Sequence, residues 1–578
     1  MKKIILIGAI SIITFFGCSE EETPTQTPPA TSKLTLNING LEDLGANAVY
    51  EGWIIIPGTA KTGGTVAETP VSTGTFTVDA SGNLSQTVFD VNPDNLSVAT
   101  AFVLTIEPNP DPDPNPSAVH ILGGDFSTNS ANVSTDHGAA LGVDFSNSTG
   151  NYILATPTDG PNTNENSGIW FLNPPTTTFA LNFTGLSPLL NGYHYEGWAI
   201  VSGSPVSTGK FNLDANGNIV DLNGTEITNG EFVVGGDLSS ATAFVLTIEP
   251  AGDTDDIPSM THYVAGDISG GSASLTVGHA SALGDDCLSS TGNYILATPT
   301  NGPGTDENSG IWFLDISSGN PEQGLFLPTL PAGWKYEGWT VIDGLPVSTG
   351  TFTSTTDFDE ADPYSSTMPG PPFPGEDFLL NAPAGLTFPT DIAGDVGVIS
   401  IEPFPDDDAS PFTLKPLIGM IPGNATDHVT YPMDNNAATY PTGTATITFN
   451  GPSAGLTLPT LPAGWKYEGW AVINGTPVST GTFTDISDFD EADPYSSTMP
   501  GPPFPGEDFL VNAPAGITFP TDIAGGVAVI TVEPSPDNSA DPFTLKPLVG
   551  NIPVGATDHT VYIMNPNLSS FPSGTVSR

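Results

Sequence analysis

Acidic residues that recur at fixed places are the main chemistry-bearing feature of this sequence. The string Tyr-Glu-Gly-Trp occurs four times, starting at residues 50, 195, 336 and 467, and a string ending in Glu-Pro follows each copy. The recurring residues are Glu51, Trp53, Glu107, Glu196, Trp198, Glu249, Glu337, Trp339, Glu402, Glu468, Trp470 and Glu533. Two carboxylates brought together can hold a cation or act as acid and base. A Glu that shares a strand face with a Trp is costly unless it is hydrogen-bonded. We therefore favour a structural Glu that accepts backbone N–H bonds at a bulge or strand edge, and we expect no catalytic residue.

Two dense acidic runs are the candidate metal ligands. They contain Asp357, Asp359, Glu360 and Asp362, and, in a second copy, Asp488, Asp490, Glu491 and Asp493. Hard oxygens at alternating loop positions suit Ca²⁺, which takes about 6–8 oxygen ligands. The spacing is not that of an EF-hand, and a solvated acidic loop is the alternative. Ca²⁺ is the one cofactor that the sequence suggests.

Other reactive residue types favour structural roles. A His recurs late in each copy, and we interpret it as a turn residue: His137, His279, His428 and His559. The Trp of each Tyr-Glu-Gly-Trp string is expected in a core, whereas Trp334 and Trp465 follow Pro-Ala-Gly and are expected to be more exposed, as sugar-stacking rings would be. Cys287 aligns with Phe145, which predicts a buried free thiol. Phosphate-binding, dinucleotide-binding and common hydrolase motifs are absent from the sequence.

The recurring strings define four internal repeats. Pro-Val-Ser-Thr-Gly follows each Tyr-Glu-Gly-Trp, and the repeat intervals are 145, 141 and 131 residues. Copies one and two share Asn-Tyr-Ile-Leu-Ala-Thr-Pro-Thr and Asn-Ser-Gly-Ile-Trp-Phe-Leu at their ends, and copies three and four are nearly the same sequence. We place the modules at 33–175, 176–318, 319–448 and 449–578. Because the period far exceeds that of solenoid repeats, we expect beads on a string, each module with its own core.

The spacing of breaks predicts strands throughout. Short runs of Val, Ile, Thr and aromatic residues alternate with Gly, Pro, Asn and Asp, and no stretch has a convincing helical period. Residues 79–83 and 214–218 read as hairpin turns, in which Gly or Asn accepts a positive φ. The expected fold is all-β: four tandem immunoglobulin-like antiparallel β-sandwiches of about seven to nine strands each.

The N-terminus predicts export and a lipid anchor. Met1-Lys2-Lys3 precedes thirteen apolar residues, and Gly17 stands before Cys18. This pattern resembles the lipobox of bacterial lipoproteins, so residues 1–17 are interpreted as a lipoprotein signal peptide and Cys18 as the acylated residue. Residues 18–32 are an acidic, Pro/Thr-rich tether. An ordinary secretory signal is the alternative.

The acidic surface excludes one class of partner. The chain has 64 Asp plus Glu against 10 Lys plus Arg, a formal charge of -54. Such a surface repels phosphate backbones, so nucleic acid is not an expected partner.

The order of the repeated strings resembles one known family. Tyr-Glu-Gly-Trp, then Pro-Val-Ser-Thr-Gly, then Leu-Thr-Ile-Glu-Pro before an acidic loop is similar to the C-terminal, extracytoplasmic domain of the anti-sigma-K factors. The resemblance covers all four modules and implies an extracytoplasmic β-domain. The cytoplasmic helical domain that binds sigma and the transmembrane helix of that family have no counterpart in this sequence, so sigma binding is not implied.

These observations favour a non-enzymatic envelope lipoprotein. We expect it in the outer membrane at the cell surface, held by its acyl chains and acting in surface binding, adhesion or as a structural component. The expected partner is a protein or a polysaccharide. A periplasmic sensory or regulatory accessory is the first alternative, and a polysaccharide-acting hydrolase is the second.

Overall fold

Alternating burial builds the strands of this protein. The computed structural model describes residues 31–58, 68–160, 163–405, 408–537 and 539–578. In the first strand Leu34, Leu36 and Ile38 are buried while the residues between them are exposed, which is the period of two expected for a sheet with one face in a core. Strands account for 42% of the chain and helices for 4%, so the prediction of an all-β fold with antiparallel sheets is confirmed.

The strands of the described residues follow one another along the chain. From the N-terminus to residue 173 they are β1 (Ser32–Asn39), β2 (Ala48–Ile56), β3 (Thr69–Phe76), β4 (Val88–Val91), β5 (Ala101–Pro108), β6 (His120–Asp125), β7 (Ser130–Val133), β8 (Thr149–Tyr152), β9 (Gly168–Trp170) and β10 (Leu172–Asn173).

The next twenty strands are β11 (Thr176–Thr184), β12 (His194–Val201), β13 (Ser204–Leu213), β14 (Ile219–Val220), β15 (Glu231–Gly235), β16 (Ala243–Glu249), β17 (His262–Asp267), β18 (Ser272–Thr276), β19 (Thr291–Leu296), β20 (Gly310–Trp312), β21 (Leu314–Asp315), β22 (Glu322–Gln323), β23 (Leu325–Phe326), β24 (Trp334–Ile342), β25 (Leu345–Phe352), β26 (Gly375–Asp377), β27 (Val396–Pro403), β28 (Leu417–Met420), β29 (Tyr431–Asn435) and β30 (Thr442–Asn450).

The final strands are β31 (Ser453–Ala454), β32 (Leu456–Thr457), β33 (Trp465–Ile473), β34 (Thr476–Phe483), β35 (Gly506–Asp508), β36 (Val527–Pro534), β37 (Leu548–Asn551), β38 (Tyr562–Pro566) and β39 (Ser573–Ser577). The α-helix of the described residues, Pro93–Val98, has no counterpart in the sequence prediction, because six residues are too few to show a helical period. Short 3₁₀ turns lie at Glu165–Ser167, Thr228–Gly230, Pro299–Asn301, Glu307–Ser309, Ala437–Thr439 and Leu568–Ser570.

The chain divides into two compact units. The first comprises residues 1–173 and 454–578, and the second comprises residues 174–453. In terms of the repeats, the first unit joins copy one to copy four and the second joins copy two to copy three. The boundaries assigned to the four copies stay a prediction, but the structure pairs the copies.

Strand exchange explains the pairing in the first unit. The last strand of the chain, β39, lies between β1 and β7 of the first copy. In return, β8 and β9 at the end of the first copy pair with β38 and β35 of the fourth copy. Each copy therefore completes a sheet of the other.

The second unit repeats the exchange. The strand β30 at the end of the third copy lies between β11 and β18 of the second copy. The strands β19 and β20 at the end of the second copy pair with β29 and β26 of the third copy. The resulting sheets have the orders β14-β13-β12-β16-β17-β18-β30-β11-β15 and β25-β24-β27-β28-β29-β19-β20-β26.

Each of the two large hydrophobic cores belongs to one unit and is shared by the two copies in that unit. One core cluster contains residues of the first and fourth copies, among them Leu34, Phe102, Tyr152, Tyr467 and Val576. A second contains residues of the second and third copies. The expectation that each module has its own core is therefore wrong, because the exchanged strands carry core residues from one copy into the other.

The hairpin predictions are confirmed. Asp79 Oδ1 accepts hydrogen bonds from Ser81 N and Asn83 N, each at 2.9 Å, and Gly82 has φ +79°. The equivalent Asp214 accepts from Asn216 N at 2.8 Å and from Asn218 N at 2.9 Å. The turn needs a residue with positive φ, which Gly supplies without a steric cost.

Candidate functional site

The residues repeated in each copy form one internal hydrogen-bond chain. In the first copy, Trp53 Nε1 donates to Thr105 Oγ1 at 2.9 Å, and Thr105 Oγ1 donates to Glu107 Oε1. The other copies have the same chain through Trp198, Thr247 and Glu249, through Trp339, Ser400 and Glu402, and through Trp470, Thr531 and Glu533. The Trp of each string is buried, as predicted.

The Glu of the Glu-Pro string closes the acidic loop that follows it. Glu107 accepts hydrogen bonds from the backbone N–H of Ser117, ten residues later, at 2.9 and 3.1 Å. Glu249 does the same for Ser259 at 3.0 and 3.2 Å. Glu402 and Glu533 accept from Phe412 N and Phe543 N, each at 2.9 Å. This Glu therefore has the structural role expected of a buried carboxylate that accepts backbone bonds.

The Glu of the Tyr-Glu-Gly-Trp string has a different donor. Glu51 accepts from the hydroxyl of Ser72 in the Pro-Val-Ser-Thr-Gly strand, and its strand has a register irregularity beside it, between Gly52 and Trp53. The equivalent pairs are Glu196 with Ser207, Glu337 with Ser348 and Glu468 with Ser479. The predicted bulge is present, but a hydroxyl supplies this hydrogen bond.

The two Glu of each copy lie diagonally on neighbouring strands, on the same face of the sheet. Glu468 lies directly opposite Thr531, two residues before Glu533, so both carboxylates point to the same face of the sheet. The same register holds in the other three copies. The structure thus brings together the carboxylate pair that the sequence offered as the functional alternative.

A third carboxylate joins the pair in the fourth copy. Ligand oxygens of Glu468, Glu533 and Asp537 all lie within 4.8 Å of one another. Burial raises the pKa of Glu468 to about 7 and that of Glu533 to about 8. The Oε2 atoms of both Glu are buried and have no hydrogen-bond partner among the described residues.

A lysine occupies the corresponding place in the second copy. Lys210 Nζ lies 2.7 Å from Asp253 Oδ2 and 3.4 Å from Glu196 Oε2. Burial raises the pKa of Glu196, and Lys210 opposes that shift. His194 completes a group with Glu196 and Asp253 within 4.8 Å. The sequence analysis missed His194, although its position directly before the repeated string was visible.

The acidic runs do not form such a group. Glu360 and Glu491 are bound by Lys335 and Lys466, the latter pair at 2.6 Å. Asp359 Oδ2 accepts from Gly375 N at 2.9 Å, and Asp490 Oδ2 accepts from Gly506 N at 3.0 Å. Among the residues described, the groups of three metal-ligating side chains within 4.8 Å lie elsewhere. The Ca²⁺ prediction for Asp357, Asp362, Asp488 and Asp493 and the rest of the runs stays a prediction.

Buried acids that the sequence analysis missed hold the exchanged strands. Asp508 of the fourth copy accepts from Thr158 N at 2.7 Å, Thr158 Oγ1 at 2.6 Å and Trp170 Nε1 at 2.7 Å, all of the first copy. Asp377 has the same three bonds from Thr300 and Trp312. The signal was the Gly-Glu-Asp-Phe string shared by copies three and four.

The remaining candidate residues are structural. Trp334 and Trp465 are only 3% exposed, so the expectation that they are more exposed than the other Trp is wrong. Trp334 packs against Tyr263 and Phe412, and Trp465 packs against Phe543.

The histidines and the thiol fit their predicted roles. His428 and His559 have φ of +53° and +54°, as turn residues do. His137 Nδ1 and His279 Nδ1 accept from backbone N–H groups two residues later, at 3.2 and 3.1 Å. Cys287 is a buried free thiol, as predicted, and burial raises its pKa to about 11.

Comparisons with known proteins add no family. No protein-family model, curated protein or solved structure matches this chain. The resemblance to the anti-sigma-K outer domain therefore stays a prediction. The signal peptide and Cys18 lie outside the described residues. Within the described ranges, no helix has the length and apolar character needed to cross a membrane.

Proposed function

We propose that this protein is a non-enzymatic, lipid-anchored component of the bacterial envelope, whose paired β-sandwich copies act in surface binding, adhesion or envelope structure. One observation carries the proposal: in all four copies the repeated Trp, hydroxyl and Glu form an internal chain that closes a loop. What is repeated is a scaffold. The Glu of each Glu-Pro string is engaged in closing its loop.

The exchange of strands supports a load-bearing or presenting role. In the first unit, β1 follows directly on the proposed tether and pairs with β39, the last strand of the chain, from Thr35 opposite Ser577 to Asn39 opposite Ser573. Arg578 adds hydrogen bonds from Nη1 to Leu96 O at 2.7 Å and Ala99 O at 2.8 Å. The strand next to the proposed tether is thus held by residues 573–577 of the fourth copy.

The charge supports an extracytoplasmic surface. A formal charge of -54 keeps copies of the protein apart and well solvated. The partner would then contact loops and not a shared apolar face, and avidity from several weak contacts suits a repeated chain.

Cell labelling tests the proposal. Antibody raised against the folded chain is applied to intact cells and to cells with a permeabilised outer membrane, with a known periplasmic protein as the control. We expect the antibody to label intact cells. We also expect the Cys18→Ala variant to be lost from the membrane fraction. Labelling only after permeabilisation would favour the sensory alternative. A soluble protein that does not change with Cys18→Ala would overturn the anchor.

A further inference from the structure

The second and fourth copies differ at two positions beside the carboxylate group: His194 of the second copy is Lys466 in the fourth, and Lys210 is Thr482. Lys210 lies directly opposite Glu196 in the strand register, and Thr482 lies directly opposite Glu468. In the second copy the ammonium of Lys210 therefore sits among the acids as a built-in cation, bound to Asp253 and Glu196. Asp253 and Asp537 stand at the same place, four residues after the Glu of the Glu-Pro string.

The fourth copy has the acids without that ammonium. Lys466 Nζ is held by Glu491 at 2.6 Å, and Lys546 Nζ donates to Phe543 O at 2.6 Å and Pro542 O at 3.1 Å. Lys546 lies within electrostatic reach of Glu533 but bonds these carbonyl oxygens. Both of these ammonium groups are therefore bonded elsewhere than to the three acids.

Two carboxylate oxygens of this group, one on Glu468 and one on Glu533, bear on whether it binds a ligand. Glu533 is 1% exposed and Glu468 is 6% exposed, and among the residues that the structure describes the Oε2 atom of each has no hydrogen-bond partner. A buried, unpartnered carboxylate oxygen is costly, and natural proteins satisfy such atoms with a proton, a water or a cation. In the second copy Lys210 Nζ lies 3.4 Å from the equivalent oxygen, Glu196 Oε2, as an ion pair.

We propose that Glu468, Glu533 and Asp537 bind a hard divalent cation of the Ca²⁺ type, and that Lys210 replaces this cation in the second copy. Ca²⁺–oxygen bonds are about 2.3–2.6 Å long, so two oxygens on one ion lie up to about 5 Å apart. The separation of at most 4.8 Å among the three ligand atoms matches this span. Carboxylates and water are the ligands that Ca²⁺ prefers, and the group contains no sulfur.

The proposal stands apart from the anchoring role. It concerns the folded chain alone, and the ion would join β33 and β36 to the loop after β36. Burial, with a smaller contribution from the nearby charge of Asp537, raises the pKa of Glu42, so the ion would also relieve repulsion at that edge. The expected affinity is that of an extracytoplasmic Ca²⁺ site, with a Kd of about 0.1–1 mM.

The natural difference between the copies supplies the test. Calorimetric titration with CaCl₂ up to about 10 mM is carried out on residues 19–578 and on the Thr482→Lys variant, which gives the fourth copy the lysine of the second. We expect Thr482→Lys to lose one Ca²⁺ per chain and to unfold in EDTA at or above the temperature of the unchanged chain. Glu249→Gln, in the second copy, is the matched control and keeps the full number of ions.

Two further variants control for misfolding and for Ca²⁺ bound by the acidic run. Should Thr482→Lys fail to fold, Glu533→Gln replaces it and is expected to lose the same ion. Glu491→Gln, in the acidic run, separates this site from Ca²⁺ bound by that loop and is expected to keep the ion. Unchanged Ca²⁺ number and affinity in folded Thr482→Lys or Glu533→Gln would overturn the proposal, as would the absence of any Ca²⁺ binding by the unchanged chain.

Discussion

Trp170 in the first copy donates its indole N–H to Asp508 in the fourth copy at 2.7 Å, across 338 residues of sequence. The same carboxylate accepts two bonds from Thr158. Thr158 and Trp170 belong to the first copy and Asp508 belongs to the fourth. These three buried hydrogen bonds therefore hold the exchanged strands of the two copies together.

Replacing Asp508 with Asn should weaken the first unit. An amide presents a donor where three donors already converge, so we expect a loss of about 2–4 kcal/mol in the free energy of unfolding. Urea unfolding followed by near-UV circular dichroism measures the loss. Asp377→Asn is the matched variant for the second unit, with the same bonds from Thr300 and Trp312. Equal stability of both variants and the unchanged chain would contradict the role assigned to these acids.

Thr531→Val should destabilise the fourth copy through the repeated chain. The change removes the acceptor of Trp470 Nε1 and a donor to Glu533 while it keeps the volume of the side chain. We expect a loss of about 1–3 kcal/mol, because a buried indole N–H is left unpaired. Thermal unfolding followed by tryptophan fluorescence measures the effect. Thr482→Val removes only an exposed hydrogen bond, from Thr482 Oγ1 to Glu491 Oε2 at 2.8 Å, so it is the control and should cost less.

Stability should fall as the pH rises through the neutral range. Burial raises the pKa of Glu376 and Glu507 to about 8, against an ordinary value of 4.5. Between these values the folded chain keeps a proton that the unfolded chain has released, so folding weakens with rising pH. Each such carboxyl contributes a slope of up to about 1.4 kcal/mol per pH unit.

Melting temperatures in EDTA from about pH 5 to pH 8.5 check this expectation. Glu376→Gln and Glu507→Gln carry no titrating proton, so each variant should show a flatter pH profile for its own unit. General repulsion among the other acids also weakens folding at high pH, and the comparison with the Gln variants isolates the buried carboxyls. A profile that rises with pH, or one unchanged in both variants, would count against the buried protonated acids.

Local patterns predicted the local structure well. The strand class, the hairpins at Asp79 and Asp214, the buried Trp53 and its equivalents and the buried Cys287 follow from composition, alternation and turn residues. The pairing of Glu51 with Glu107 was also offered by the repeat order, because two residues on neighbouring strands at matching positions share a face.

Long-range pairing was not predictable in the same way. The alternation of apolar and polar residues in β39 does not decide which sheet the strand joins. A sheet of its own copy and a sheet of another copy both offer an apolar face. The clue was the unequal ends of the copies: only the first two carry Asn-Ser-Gly-Ile-Trp-Phe-Leu, and these residues complete the sheets of the other two. Trp334 and Trp465 were misjudged because Pro-Ala-Gly suggests a turn, whereas aromatic neighbours from a loop far along the chain cover both rings.

The pairing of copies is the central claim, and excising one pair tests it most directly. Residues 174–453 contain a complete unit, including the core shared by the second and third copies. Expressed alone, this fragment should give a dispersed amide NMR spectrum and one cooperative unfolding transition. Residues 319–448 contain a single copy without β19 and β20, and they should remain unfolded or aggregate because their sheet lacks those strands. A single copy that folds as stably as the pair would contradict the account.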